Sequence, residues 1–171
     1  MSDQLAEIAN QGLGVCDQIW GTLPPTPKNV IRAIEEFEAP LIGREPIEVP
    51  TEHVIAAGMY ARTIVVPAGY IFTGALVKRA TILIAVGWFQ MLAGEELIEL
   101  KGYNVIPASA GRKQVFKTLS PLILTMLFPT QAQTVVEAEA EATDQAEDLL
   151  SRRQDANKVV TINEKELECL A

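Results

Sequence analysis

A chain of 171 residues, 49% of them apolar, is about one domain's worth of sequence with ample material for a packed core and room for short appended segments. Its net charge of −8 and pI near 4.7 argue against general phosphate binding, which rests on clustered Lys and Arg; no basic run is longer than Arg152-Arg153. Cys16 and Cys169 at opposite ends, with a single histidine, offer neither a disulfide framework nor a Cys/His metal site, so they read as unpaired thiols of a reducing compartment, with a bridge between the two ends as the alternative.

The first five residues, Met1-Ser2-Asp3-Gln4-Leu5, lack the positive region and apolar run of a secretory signal. Ser2 is placed to cap a short helix with Leu5, Ile8 and Ala9 on one face, ended by Gly12 and Gly14. Residues 19–27 form a stiff linker because Pro24, Pro25 and Pro27 fix φ and disfavour helix before them. Within it, Trp20 is either an exposed anchor for a partner protein or a side chain packed on the protein's own core. Thr26 followed by Pro27 marks a helix start, a capping hydroxyl and then a proline whose missing N–H costs nothing there. Val30, Ile31, Ile34 and Phe37 fall on one stripe and Arg32, Glu35, Glu36 and Glu38 on the other, which predicts a helix over about 27–38 that Pro40 stops.

Past an extended stretch punctuated by Pro46 and Pro50, the period changes to that of strands. Residues 60–66 are rich in β-branched and aromatic side chains, and Pro67-Ala68-Gly69 is a turn. Short strands follow at 70–73, 81–86, 87–92, 96–100, 104–106, 114–118 and 122–128, separated by Gly, Pro or Ser, a spacing that points to an antiparallel sandwich or barrel. For 122–128 a buried helix turn is the alternative, disfavoured by its length and its flanking prolines. The uncharged residues 80–94 fall short of the roughly 20 that a spanning helix needs, and read as buried strands. Residues 135–153 read as a helix, acidic first and basic at its end, with a thin apolar face that lies along the barrel, along a neighbouring chain or in solvent. Residues 158–162 are a short strand candidate, and Asn163 with Glu166 forms a capping pair before a last turn carrying Leu167 and Leu170.

The order of Glu52-His53, Gly58-Met59-Tyr60-Ala61-Arg62, Pro67-Ala68-Gly69, Gly74 with Lys78, Gly87 opening a strand, Pro107 with Gly111 and Lys113, and Phe128-Pro129 resembles the cupin superfamily over about residues 48–144. It resembles more closely the small cupin-like proteins of bacteriophage and prophage genomes. The resemblance implies a mainly β fold, a single antiparallel jelly-roll barrel with short N-terminal helices and a C-terminal helical extension. Its parts are an N-terminal arm at 1–47, the barrel at 48–130, and an acidic extension and tail at 131–171. In cupin enzymes, two histidines and a glutamate of a first motif and a histidine of a second hold one metal ion, because imidazole and carboxylate suit Fe, Mn, Ni or Zn and leave open positions. Aligned on Gly74 and Lys78, the first-motif histidine positions carry Val77 and, approximately, Thr81, and residues 102–114 contain no histidine.

His53, upstream of that motif, reads as a surface or barrel-rim residue, and Glu95, Glu96 and Glu99 as a solvated hairpin. The interior where a metal would sit is expected to be filled around Val77, Ile82 and Ile84. This reading assigns no catalytic, cofactor-binding or metal-binding residue and no cofactor. The expected function is that of a non-enzymatic structural or assembly protein of a bacteriophage virion, a head decoration, cement or tail-associated component assembled in the host cytoplasm. Its expected partners are itself, as a homo-oligomer, and virion proteins such as the major capsid, portal or tail proteins, with no nucleic acid and no membrane. The alternative is a small-molecule-binding or enzymatic cupin with an unconventional site, for which Tyr60, Arg62, Thr73, Lys78, Arg112 and Lys113 are candidates too scattered along the chain to assign.

Overall fold

Lys28–Glu38 forms the first described helix, α1, followed by a 3-10 turn at Ala39–Leu41, in a computed structural model that describes residues 21–41, 47–153 and 157–162. The readings made for residues 2–14, Trp20 and residues 163–170 lie outside those described. Of the expected apolar stripe only Ile34 is buried, and Phe37 stays half exposed, so α1 lies on the molecule by one turn. Thr26 does not cap α1. Its hydroxyl donates to the Lys113 carbonyl at 3.0 Å and accepts from the Lys113 N–H at 3.0 Å, and Leu23 bonds to Pro107 and Ser109, so the linker is stitched to the far part of the chain. A cap serves only its own helix; a two-way bond to a distant backbone satisfies two groups that burial would otherwise orphan.

The strands are β1 (Thr51–Ala56), β2 (Met59–Val66), β3 (Ile71–Thr73), β4 (Thr81–Ala93), β5 (Glu96–Ala108), β6 (Val115–Thr118), β7 (Leu122–Pro129) and β8 (Asn157–Thr161). They form one curled sheet in the order β3-β6-β4-β7-β2-β1-β8, with β5 paired to β4. The fold is mainly β, as expected, and antiparallel from β1 to β7. The sheet is nonetheless mixed, because β8 runs parallel to β1.

The segments expected as four strands at 81–106 are two long ones. β4 and β5 pair residue for residue from Thr81↔Ala108 to Ala93↔Glu96, with Gly87 opposite Gly102 in mid-ribbon. Gly87 does not open a strand; it turns one. Before it β4 pairs with β7, and after it with β6, so the ribbon passes from one wall of the barrel to the other at this glycine. Its φ of +150° and the approach of the Pro121 carbonyl, 2.6 Å from where a Cβ would lie, leave no room for a side chain.

Alternation decides what faces inward. Leu83, Ala85, Phe89 and Met91 of β4, Leu100, Ile106 and Ala108 of β5, Phe116, Leu122 and Leu124 form the main core. Ile82 and Ile84, expected inside, sit at the alternate positions and face out: Ile82 is exposed and Ile84 partly so. A strand's register is a one-residue decision, and here the neighbours Leu83 and Ala85 take the interior.

Beyond β7 the chain folds back over one end of the barrel. Helix α2 (Val135–Ala142) starts with a capping box between Thr134 and Glu137, and packs Ala138 and Ala142 with Ala132 against Ile55, Tyr60 and Phe128. The helix expected over 135–153 ends at Ala142, and residues 146–148 and 150–152 are 3-10 turns. The Lys78 N–H donates to the Ala142 carbonyl, the Leu76 N–H to Gln145 Oε1, and Arg79 pairs with Glu141, which ties the loop after β3 to this closure. β8 then lies against β1, with Lys158 bonded to Glu52 at 2.7 Å. The described part of the extension, up to residue 162, is thus laid along its own barrel.

Candidate functional site

Two buried polar clusters occupy the places where chemistry would be expected. The first surrounds Val77 and Thr81. Val77 closes a small bridge with Arg112, donating to its carbonyl at 2.7 Å and accepting from its N–H at 3.2 Å. That bridge drives the Arg112 side chain inward, where it is 1% exposed; Nη2 donates to Thr81 Oγ1 at 2.6 Å and Nε to the Ser109 carbonyl. Burial pushes its pKa down to about 10, which leaves the guanidinium charged at neutral pH. Next to it, buried Lys113 pairs with Glu38 of α1 at 3.0 Å.

These residues do not fit a metal ion. The Val77 side chain has no ligating atom, the Thr81 hydroxyl is bonded to a cation, and a fixed positive charge in a low-dielectric interior repels a second one. Among the described residues no three His, Cys, Asp or Glu side chains gather to ligate one.

The second cluster lies under α2. His53, expected at the surface or rim, is 1% exposed, because alternation in β1 turns Thr51, His53 and Ile55 inward. The lone imidazole is tolerated there because Nδ1 shares a hydrogen bond with the Tyr60 hydroxyl at 2.8 Å. Tyr60 packs edge-on against Phe128, 5.3 Å between ring centroids. Arg62 is the cross-strand partner of His53, and its buried Nε has no hydrogen-bond partner among the described residues. Burial raises the Tyr60 pKa, and lowers those of Arg62 and of His53, which the Arg62 charge lowers further. Both members of the His53–Tyr60 pair are therefore held neutral.

Glu139 completes this cluster and was not legible as special in the run Glu137, Glu139, Glu141. It is 2% exposed, and accepts from Ser151 Oγ at 2.7 Å and Arg152 Nε at 2.8 Å. The Glu139 carboxylate raises the pKa of Arg152, which also donates to the Val136 carbonyl at 3.1 Å. The only local signal is that Glu139 shares a helix face with Ala138 and Ala142, the small residues on which α2 approaches the barrel. Ser151 bonds the carboxylate directly, which fastens the 3-10 turn at 150–152 to α2.

The other candidates fall apart in space. Lys78 pairs with Asp144 at the surface, and Thr73 lies on β3 opposite Val115. Glu95, expected in a solvated hairpin, is at the exposed β4–β5 turn, where it accepts from Asn29. Glu99 accepts from Trp88 Nε1 and Gln90 Nε2, both at 2.8 Å, and the Trp88 bond holds its carboxyl below the usual range.

The neutral, buried His53 makes stability depend on pH. Its folded pKa is depressed, so between that value and about 6.5 the unfolded chain takes up a proton that the folded chain does not. The contribution is complete above about pH 6.5 and is lost as pH falls through the folded value. Thermal midpoints measured from about pH 8 to about pH 5 are expected to decline below about 6.5 in the parent, and to lose that part of the decline in His53→Gln. Parallel profiles would refute the assignment.

No family model and no curated protein matches the sequence. The chain is similar to several solved barrels. One is a cupin 2 conserved barrel domain protein of Salinispora arenicola, at 15% identity and a TM-score of 0.41 over 53% of this chain and 90% of that one. A second is an RmlC-like cupin family protein with a double-stranded β-helix fold from Methanocaldococcus jannaschii, at 16% identity and 0.42 over 52% and 86%. A third is a putative ethanolamine utilization protein from Salmonella typhimurium, at 18% identity and 0.42 over 52% and 76%. Cupin barrels are what the chain is similar to, over about half of its length.

Proposed function

We propose that the chain is a non-enzymatic structural or assembly component of a bacteriophage virion, a head decoration, cement or tail-associated protein assembled in the host cytoplasm, with itself and shell or tail proteins as partners. The phage setting rests on the resemblance of the sequence. What supports a contact-making role is one observation: the outer face of the sheet is apolar and open, with Ile82, Val86, Tyr103, Val105, Ile123 and Val65 all exposed. Contiguous exposed apolar faces are often contact surfaces. The interior supports the non-enzymatic part of the reading, since Arg112, Lys113, Tyr60, His53 and Glu139 are engaged with one another or with neighbouring groups of the chain.

Mass spectrometry of purified particles tests this. The chain is expected in fixed proportion to the shell or tail proteins, and particles that are complete without it would overturn the reading.

A further inference from the structure

Strand β5 has a neighbouring strand on one side, β4. On its other side sits Leu23, in parallel beside Ala108, donating to the Pro107 carbonyl at 2.8 Å and accepting from the Ser109 N–H at 3.0 Å. Those two bonds show which backbone groups point away from β4. By alternation the N–H and C=O of Val105 and Tyr103 point the same way, and among the described residues nothing bonds them there. The ladder that Leu23 begins does not reach them. Pro107 has no N–H for the next rung, and Gly21, which would share it, is turned to φ +115°. Tyr103 and Val105 are themselves half exposed, so this stretch is an apolar edge with unpaired backbone, of the kind that folded proteins cover or blunt. Asn104 stands between them, facing inward and 4% exposed. Its Nδ2 is taken by the carbonyls of Gly102 at 3.2 Å and Lys101 at 3.4 Å, which leaves a buried Oδ1 with no partner among the described residues. An unmatched buried acceptor costs about 1–3 kcal/mol until a donor reaches it.

From this we infer that the β5 edge at Tyr103 and Val105 takes an extended segment of an unlike protein, added as a strand, with Ser or Thr at the position beside Asn104. The backbone decides the class of ligand. Alternating N–H and C=O groups along an edge are matched rung for rung by another extended main chain. The orphaned Oδ1 decides against a second copy. Two copies paired about a two-fold axis through this stretch set Asn104 against Asn104 with side chains about 5 Å apart, two acceptors and no donor between them. Moving the axis to Val105 brings Pro107 and Leu23 into the pair, and moving it to Tyr103 brings in the Gly102 corner. A hydroxyl on an unlike segment supplies the donor that is missing. The inference rests on the assembly reading for the source of the segment, a shell or tail protein, and on the edge alone for its chemistry.

Amide hydrogen exchange of the full chain, read residue by residue by NMR, tests this with a short acetylated peptide amide, Thr-Val-Thr-Val-Thr-Lys, as the probe. In the dilute chain without peptide, the Tyr103 and Val105 amides are expected to exchange freely, while those of Asn104 and Ile106, turned to β4, are protected. Peptide in the low millimolar range should slow Tyr103 and Val105 by roughly tenfold or more. An Ala-for-Thr version of the peptide lacks the hydroxyl and should bind about fivefold more weakly. A version N-methylated at alternate amides should not bind. Tyr103→Pro removes an N–H that β4 does not use and should abolish capture. Circular dichroism and the thermal midpoint establish that this variant is folded, and the N-methylated peptide decides the matter if it is not. Three outcomes overturn the inference. Tyr103 and Val105 amides already protected in the dilute chain put the chain's own residues on the edge; protection that rises with protein concentration puts a second copy there; and peptide that protects neither amide leaves the edge without the proposed chemistry. The two readings fail separately: absence from particles with peptide captured refutes the virion reading alone, and presence in particles with no capture refutes the edge alone.

Discussion

Gly87→Ala is expected to destabilise the protein by about 2–6 kcal/mol. Two effects add at this position. An L-residue at φ +150° is strained, which costs about 1–3 kcal/mol. Its Cβ would also lie 2.6 Å from the Pro121 carbonyl oxygen and 3.2 Å from the Leu122 Cα, both backbone atoms, and overpacking of that kind costs about 1–3 kcal/mol more. In a chain of this size each kcal/mol moves the thermal midpoint by roughly 2–4 °C, so a fall of about 10 °C is expected. Gly58→Ala is the control. Gly58 also has positive φ, +70°, in the tight turn from β1 to β2, but its Cβ would meet nothing within 4 Å, so only the conformational cost of about 1 kcal/mol applies. Equal melting of the two variants would show that the β4 corner does not depend on close approach of the loop before β7. The residue matters because the corner lets one continuous hairpin serve both walls, and so places the outward apolar rows together on one of them.

The second large effect is expected at Glu139. Removing one member of a buried ion pair leaves the other without its partner, which costs about 3–5 kcal/mol in a dry interior. Glu139 is buried, but the Arg152 side chain is 16% exposed, so water softens the loss and about 2–4 kcal/mol is expected for Glu139→Ala in denaturant titration. Glu139→Leu combined with Arg152→Leu should recover most of it, because no charge is then left stranded. A loss under about 0.5 kcal/mol for Glu139→Ala would place the pair among ordinary surface bridges. The consequence for architecture is direct: Glu139, Ser151 and Arg152 hold the chain between α2 and β8 against the barrel end, so loosening them should loosen β8 from β1 as well.

Much of the secondary structure was readable locally. The stripe of Val30, Ile31, Ile34 and Phe37 marks α1 to within a residue of Lys28–Glu38, and the β-branched run at 60–66 marks β2. Where reading failed, a distant partner had changed the meaning of a local signal. Gly87 has the composition of a strand break, yet Gly102 opposite it and the loop at Pro121 beside it make it a bend inside a strand. Thr26 has the composition of a cap, yet its hydroxyl is taken by Lys113, 87 residues away in the chain. At the candidate site the sequence singled out Val77 and Thr81; that Arg112 bridges the one and bonds the other was not legible, because Arg112 lies more than thirty residues further along the chain.

By itself the sequence determined a mainly β chain with turns at its Gly and Pro positions, an N-terminal amphipathic helix, and one histidine where a metal site of the cupin kind needs several. These follow from composition and from periods of two and 3.6 residues, which operate within a few positions of one another. Only the tertiary structure decided that Ile82 and Ile84 face out while Leu83 and Ala85 face in, that His53 is buried against Tyr60, that Glu139 rather than Glu137 or Glu141 is buried and paired with Arg152, and that β8 closes the sheet in parallel beside β1. The physical reason is that a period assigns residues to two faces without saying which face is covered. That choice is made by pairing between segments far apart in the chain, as when Lys158 meets Glu52 across 106 residues, and no local pattern carries it.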